Sequence, residues 1–376
     1  MNQKKEILNS DKPTCLDLPV NVREIDFRTD SNLIKGDWVC GWHCEDGKYL
    51  ISVFKADTLE KIRDFTNPDF GEPLIIIDNT LYIRSLAEKM LYIVQLNQEN
   101  ELFSKVKLLR DGILIRDTEI GANCLVKLIG DDWNGNNGHL AYVSIDTMAT
   151  AWQIEYSAYR ALIRENYVFS NNSEGVDSFK LESGESEWHL PISKFQELDK
   201  ALESLQQELK VFNDVLIVLG SDNGVIGINK NTGEIIWYNS GLETRRCVLS
   251  QDGIVYLANR KFVLAIDALT GKEQRRFNLP PVPSLKYDFR KATGVALTNS
   301  HFWIGYAYSG NYGGELLALN LETGEVDFLQ DFPGLVENLV VRNNRMHFEV
   351  MGFGSLSDGP NYKYYILEGA GGFAAE

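Results

Sequence analysis

Three observations predict an all-β fold made of repeated four-stranded units. Strand-sized apolar runs, bounded by turn residues, recur along the 376 residues. Three segments share one hairpin motif, and weaker copies of it return along the rest of the chain. Glycine is abundant (31 residues) and aromatics reach 11 %, a mix that suits many short strands joined by tight turns.

The motif is clearest in the second half. Gly224 to Tyr238 reads GVIGINKNTGEIIWY, Phe262 to Phe277 reads FVLAIDALTGKEQRRF, and Glu315 to Leu329 reads ELLALNLETGEVDFL. Each is a short apolar strand, then Asn or Asp, two residues, Thr-Gly and a second strand, which is the pattern of a β-hairpin. Gly233, Gly271 and Gly324 supply the positive φ of the turn. Asn229, Asp267 and Asn320 have side chains able to bond the turn's own backbone.

Weaker copies follow. Phe179 to Trp188 keeps Ser183-Gly184 in the Thr-Gly place, and Val53 to Phe65 keeps Thr58 but loses the glycine. Val94 to Phe103 and Val143 to Trp152 are more decayed. The anchors Thr58, Glu99, Thr147, Ser183, Thr232, Thr270 and Thr323 stand 36 to 53 residues apart. Their mean spacing is the period of a four-stranded propeller blade, roughly 40–45 residues. Seven hairpins plus the strand Tyr364 to Glu368 make eight units, so eight blades are preferred to seven. The last unit lacks an outer strand, which Val22 to Phe27 can supply; joining the two ends of the chain in this way removes sheet edges.

The strand, the Asp/Asn-x-x-Thr-Gly turn and a Trp five residues after the Thr together resemble the blade repeat of quinoprotein alcohol dehydrogenase-like (PQQ-like) β-propellers. Trp188 and Trp237 match that Trp, Phe328 replaces it, and Trp152 follows a shortened turn. The resemblance covers residues from about 20 to 370. It implies a single propeller over 17–370, between a flexible lead-in (1–16) and a tail (371–376). It also brings to mind quinone-dependent dehydrogenases, which the resemblance implies are exported, hold calcium beside the quinone and often carry an adjacent cysteine pair. This chain has no apolar stretch after Met1 of the kind an export signal needs and no Cys-Cys. No cofactor is expected.

One inserted amphipathic helix is predicted over 193–212, with Ser193 and Gln196 as a capping box. Phe195, Leu198, Leu202, Leu205, Leu209 and Phe212 are spaced 3-4-3-4-3. That seam is too short for a coiled coil, so packing on the propeller's flank is preferred to a partner or dimer contact, and a monomer is expected.

Other departures from the repeat are loops: Gly130 to Gly138 (GDDWNGNNG), Tyr306 to Gly314 (YAYSGNYGG) and Gly352 to Tyr362 (GFGSLSDGPNY). Each is expected to join the second and third strands of its unit. They would share a face with the unit-to-unit links 66–73, 193–212 and 279–293. Long loops on a rigid scaffold are where binding usually lies. The candidate partner-binding residues are therefore Trp133, Asn134, Asn136, Tyr308, Asn311, Tyr312, Phe353 and Asp358. Asp132, Asn134 and Asn136 mimic the opening of a calcium loop, but the glycine comes one place late and Val143 stands where Glu is required. Cys40, His43 and Cys44 lack a second ligand pair, and no metal is expected.

The net charge of −16 argues against binding phosphate backbones; it suits a very soluble protein with no charged partner, which is the default reading, and a basic protein partner is the alternative. No apolar run reaches the length of a membrane span. Five scattered cysteines (Cys15, Cys40, Cys44, Cys124, Cys247) read as free thiols in a reducing compartment, hence the cytoplasm. There is no Gly-x-Ser-x-Gly, His-Glu-x-x-His or phosphate-loop Gly-Lys-Ser/Thr. The five histidines fall in five different units. The expected function is a non-enzymatic, protein-binding propeller, an acidic inhibitor or immunity-type protein that sequesters its partner. The alternative is a propeller that binds a small ligand, or a quinone-dependent oxidoreductase, with its ligand in the central channel.

Overall fold

A computed structural model describes residues 14–15 and 20–369, apart from short stretches that include 108–113, 129–137, 201–207, 281–289 and 354–359. The described strands form eight antiparallel sheets. Six are four-strand meanders in chain order, such as Ser31–Lys35, Trp38–Glu45, Lys48–Lys55 and Lys61–Asn67 in the first sheet, and the seventh is a meander of the same kind that carries the short strand Thr14–Cys15 on its outer edge. In the eighth, Leu335–Arg342, Arg345–Phe353 and Pro360–Gly369 pair in order, and the outer strand is Val20–Thr29 from the other end of the chain. The register runs from Val20↔Gly369 to Ile25↔Tyr364. The closure expected of Val22 to Phe27 is thus present and somewhat longer. It covers amides that the strand Pro360–Gly369 would otherwise expose.

The chain divides into two compact units. One comprises 31–243 with 269–271 and holds the first five sheets; the other comprises 1–30, 244–268 and 272–376 and holds the last three. In the first unit, the core lies between successive sheets. Trp38, Ile51 and Phe65 pack with Ile76, Leu81 and Tyr92, and Phe169 and Val176 pack with Leu216, Val218 and Ile226. In the second unit, Val263 and Phe277 meet Phe302, Ile304 and Leu317, while Trp303 and Phe328 meet Met346 and Phe348. Middle strands are therefore buried on both faces and read as unbroken apolar runs, as in Val215–Leu219 (VLIVL). Outer strands such as Ala149–Glu155 alternate toward water.

The repeat motif forms the turn between the third and fourth strands. In the fifth sheet, the Asn229 side chain accepts from the amides of Asn231 (2.9 Å) and Thr232 (3.2 Å), and Gly233 turns with φ of 76°. Asn320 and Gly324 repeat this in the seventh sheet. The aromatic of one sheet lies on the turn glycine of the next: Trp152 on Gly184, Trp188 on Gly233 and Trp237 on Gly271, with a Cβ at Gly271 only 2.6 Å from the Trp237 ring. The indole N–H then donates to the carbonyl three residues before that glycine, Trp152 to Leu181 at 2.7 Å and Trp188 to Lys230 at 2.9 Å.

In the sixth sheet Arg275 occupies the Trp position. Its guanidinium donates to the Leu321 and Glu322 carbonyls (2.5 and 2.7 Å) and lies 4.5 Å from the centroid of Phe277, which covers Gly324. Arg and Phe thus divide the two roles of one indole, hydrogen-bond donor and apolar plate. Arg63 and Phe65 stand in the same relation in the first sheet, 5.6 Å apart.

The predicted helix is corrected. Among the described residues of this segment only Ile192–Leu198 is helical; its N-cap is Pro191, with no side-chain cap, so the Ser193–Gln196 box does not form. Leu209–Phe212 is instead the first strand of the fifth sheet, paired from Leu209↔Val218 to Phe212↔Val215. An amphipathic spacing over so few residues is a weak preference, and pairing with a fully buried strand overrides it. Phe195 is fully buried against Phe169 and Val176, which agrees with packing on the flank.

Candidate functional site

In a four-stranded meander, links 1–2 and 3–4 leave one end of the sheet, while link 2–3 and the link to the next sheet leave the other. The strand limits put the long segments at the second end. Residues 129–138, 309–313 and 354–359 join second to third strands, and 68–72, 192–208 and 279–289 join one sheet to the next. At the opposite end no link exceeds seven residues, and many are as short as Asn213-Asp214 between Leu209–Phe212 and Val215–Leu219.

In the first unit, a polar triad stands at the base of this end. The Tyr156 amide bonds the Gly138 carbonyl (2.9 Å), where the segment 129–137 rejoins the sheet. Its hydroxyl donates to Asp177 Oδ2 at 2.7 Å, and His189 Nδ1 lies 2.8 Å from Asp177 Oδ1. Asp177 and His189 are direct cross-strand partners. Since a carboxylate only accepts, Nδ1 carries the hydrogen of this contact, on a side chain 43 % exposed. Burial, then the charge and hydrogen bond of Asp177, push the Tyr156 phenol well above its usual range.

Beside the triad, the Glu174 carbonyl accepts from the Ile192 amide at 2.6 Å and so anchors the start of the helix. At the helix's other end, Asp199 Oδ2 accepts from the Tyr238 hydroxyl at 2.8 Å. Burial, then this bond, raises the Tyr238 phenol. Leu198, beside Asp199, is an apolar side chain 44 % exposed.

In the second unit, the Tyr308 hydroxyl lies 2.7 Å from Glu315 Oε2 and 2.9 Å from Asp331 Oδ1. Glu315 is buried and Asp331 exposed, although the two are cross-strand partners. A second polar row crosses the eighth sheet. Asn338 Nδ2 donates to Glu349 Oε2 (2.9 Å), and the Tyr364 hydroxyl lies 2.6 Å from His347 Nδ1. Burial, reinforced by the charge of Glu349, raises the Tyr364 phenol; burial also raises Glu337, against the opposing charge of Arg246.

Of the sequence candidates, Tyr308 is placed as described above. Phe353 ends the strand Arg345–Phe353. Trp133, Asn134, Asn136, Asn311, Tyr312 and Asp358 lie outside the described residues, as do Leu202 and Leu205 of the seam and the calcium-like run. Leu209, counted in the seam, is a buried strand residue. Tyr156, Asp177, Asp199, Tyr238 and Glu315 were not among the candidates. His189 was noticed only as one of five histidines; its place directly after the motif Trp188, in an outer strand, is the one local signal pointing to it.

This architecture is that of a β-propeller, with a hairpin motif similar to the PQQ-like repeat. Residues 136–281 match the family model of the outer membrane protein assembly factor BamB. No curated protein matches the chain in sequence. Among solved structures, BamB from Moraxella catarrhalis is similar with a TM-score of 0.60 at 16 % identity, over 92 % of this chain and 97 % of that one. Saccharomyces cerevisiae Sqt1 aligns with a TM-score of 0.64 at 12 % identity, over 94 % and 99 %. A europium-containing methanol dehydrogenase aligns with a TM-score of 0.62 at 10 % identity, over 92 % and 93 %. At such identities the likeness is one of fold, shared by an assembly factor and a dehydrogenase alike. No helix among the described residues is long and apolar enough to cross a membrane.

Proposed function

We propose that the protein is a non-enzymatic binding propeller whose eight sheets serve as eight blades and whose long-loop ends grip a basic protein partner in the cytoplasm. The observation that carries this reading is the asymmetry of the sheets: the longest links, 129–138, 192–208 and 279–289, leave one end, and no link at the other exceeds seven residues. A rigid scaffold with its long connections gathered in this way is built for recognition. The chain's charge of −16 and the carboxylates Glu315 and Asp331 at that end favour a cationic partner. The resemblance to an assembly factor fits the same reading.

The test replaces 130–137 and 309–312 by short Gly-Ser links, separately and together, and leaves every described strand intact. Binding of a stoichiometric protein partner should survive shortening of the Thr-Gly turns and be lost with the long links. Undiminished binding by the doubly shortened protein would overturn the reading.

A further inference from the structure

Seven of the eight sheets end, among the described residues, in an outer strand with nothing added to it. The seventh differs. Its outer strand, Val326–Phe332, carries Thr14–Cys15 in antiparallel register, Thr14↔Leu329 and Cys15↔Phe328. An outer strand offers a row of unpaired N–H and C=O groups, and proteins blunt such edges with charged residues, above all Lys, and with Pro. Lys61–Asn67, Phe103–Lys107, Glu273–Asn278 and Val20–Thr29 carry Lys or Arg, and Ser186–Pro191 ends in Pro. Val326–Phe332 (VDFLQDF) has neither. Ala149–Glu155 and Ile235–Ser240 also lack both, yet no strand is added to them among the described residues.

The charges on Val326–Phe332 are both acidic. Asp327 is held at 2.8 Å by His301 and by Asn320, whereas Asp331 is exposed. We propose that the outer edge of Val326–Phe332 is a strand-addition site, occupied in the free protein by Thr14–Cys15 and open to an extended partner segment that alternates Lys or Arg with apolar residues. Main-chain bonds give such a complex its affinity, and the alternate side chains give it selectivity. A two-residue ladder is a light closure that a longer strand displaces, and a cation set against Asp331 adds what Thr14–Cys15 do not supply. The surface is a sheet edge rather than a loop end; Asp331 belongs to both, and protection of the backbone over 326–332 is what separates this inference from the loop-end reading.

The experiment uses the full-length chain with Thr14→Pro and Cys15→Pro, which removes both amides from the added strand without changing any residue of the four strands from Arg290 to Phe332. Hydrogen exchange over 326–332 should quicken about tenfold, the effect of losing roughly one hydrogen bond's protection. A short alternating Lys–Val peptide should bind this variant about tenfold more tightly than the wild type, on the same scale, since its competitor is gone. The peptide should restore protection at 326–332 and leave Ile235–Ser240 unchanged, and Asp331→Asn should weaken it. Unchanged exchange in the proline variant, or equal protection of Ile235–Ser240, would overturn the proposal. A dimer of the proline variant that protects 326–332 without peptide would assign the edge to a second copy, and the partner reading falls.

Discussion

At the scale of single residues, the polar clusters are held by burial and by hydrogen bonds between positions remote in the chain. Asp177 is separated by 12 residues from His189 and by 21 from Tyr156, and no local pattern announces that the three meet. Changing Asp177 to Ala leaves a buried hydroxyl without its acceptor, at a cost of about 1–3 kcal/mol in urea unfolding at neutral pH. Tyr156 also makes a pH prediction. Its phenol is raised above the reference 10.0, so the stability it contributes is complete below that pH and is lost as the pH rises beyond it. Tyr156→Phe should flatten the loss of stability above pH 10 without altering stability at pH 7 by more than its one hydrogen bond. An equally steep alkaline loss in the variant would refute the assignment. Leu198→Ser, by contrast, should leave unfolding within about 0.5 kcal/mol of wild type, because that side chain stands in water.

At the scale of elements, the turn chemistry and the aromatic plates were legible because both are local. Asn229, Thr232 and Gly233 sit within one turn, and Trp188 and Trp237 stand at a constant offset from it. What the offset does not reveal is that Arg275 can take the same place, since a guanidinium and an indole share only a planar N–H donor. Trp237→Ala should cost about 3–5 kcal/mol, the usual range for a buried Trp, and Arg275→Ala clearly less, because its exposed guanidinium is only half of the device. Gly271→Ala should also destabilise, through its φ of 68° and the Trp237 ring 2.6 Å from the new Cβ. Thermal or urea midpoints of the three variants give the ranking directly. The segment 193–212 shows the converse. Its 3-4 spacing is real, but Leu209–Phe212 pairs with Val215–Leu219, and a ladder of backbone hydrogen bonds outweighs a short amphipathic stripe.

At the scale of the whole molecule, the proposed binding makes a prediction about charge. With −16 overall, attraction to the proposed basic partner would be long-ranged and should weaken steadily with added salt. Titration at low and high ionic strength checks this, and an affinity independent of salt would sink the idea of an acidic sequestering protein. By itself the sequence determined the all-β class, the blade-like repeat, the Thr-Gly turns and the closing strand from the N-terminal region. All of these are written in patterns of a few residues repeated at one period. Only the tertiary structure decided that Leu209–Phe212 is a strand, that Tyr156, Asp177 and His189 converge, that Arg275 stands in for a tryptophan, and that Thr14–Cys15 covers one sheet edge. Each of those depends on which distant residues become neighbours, and that follows from the packing of whole sheets rather than from any local spacing.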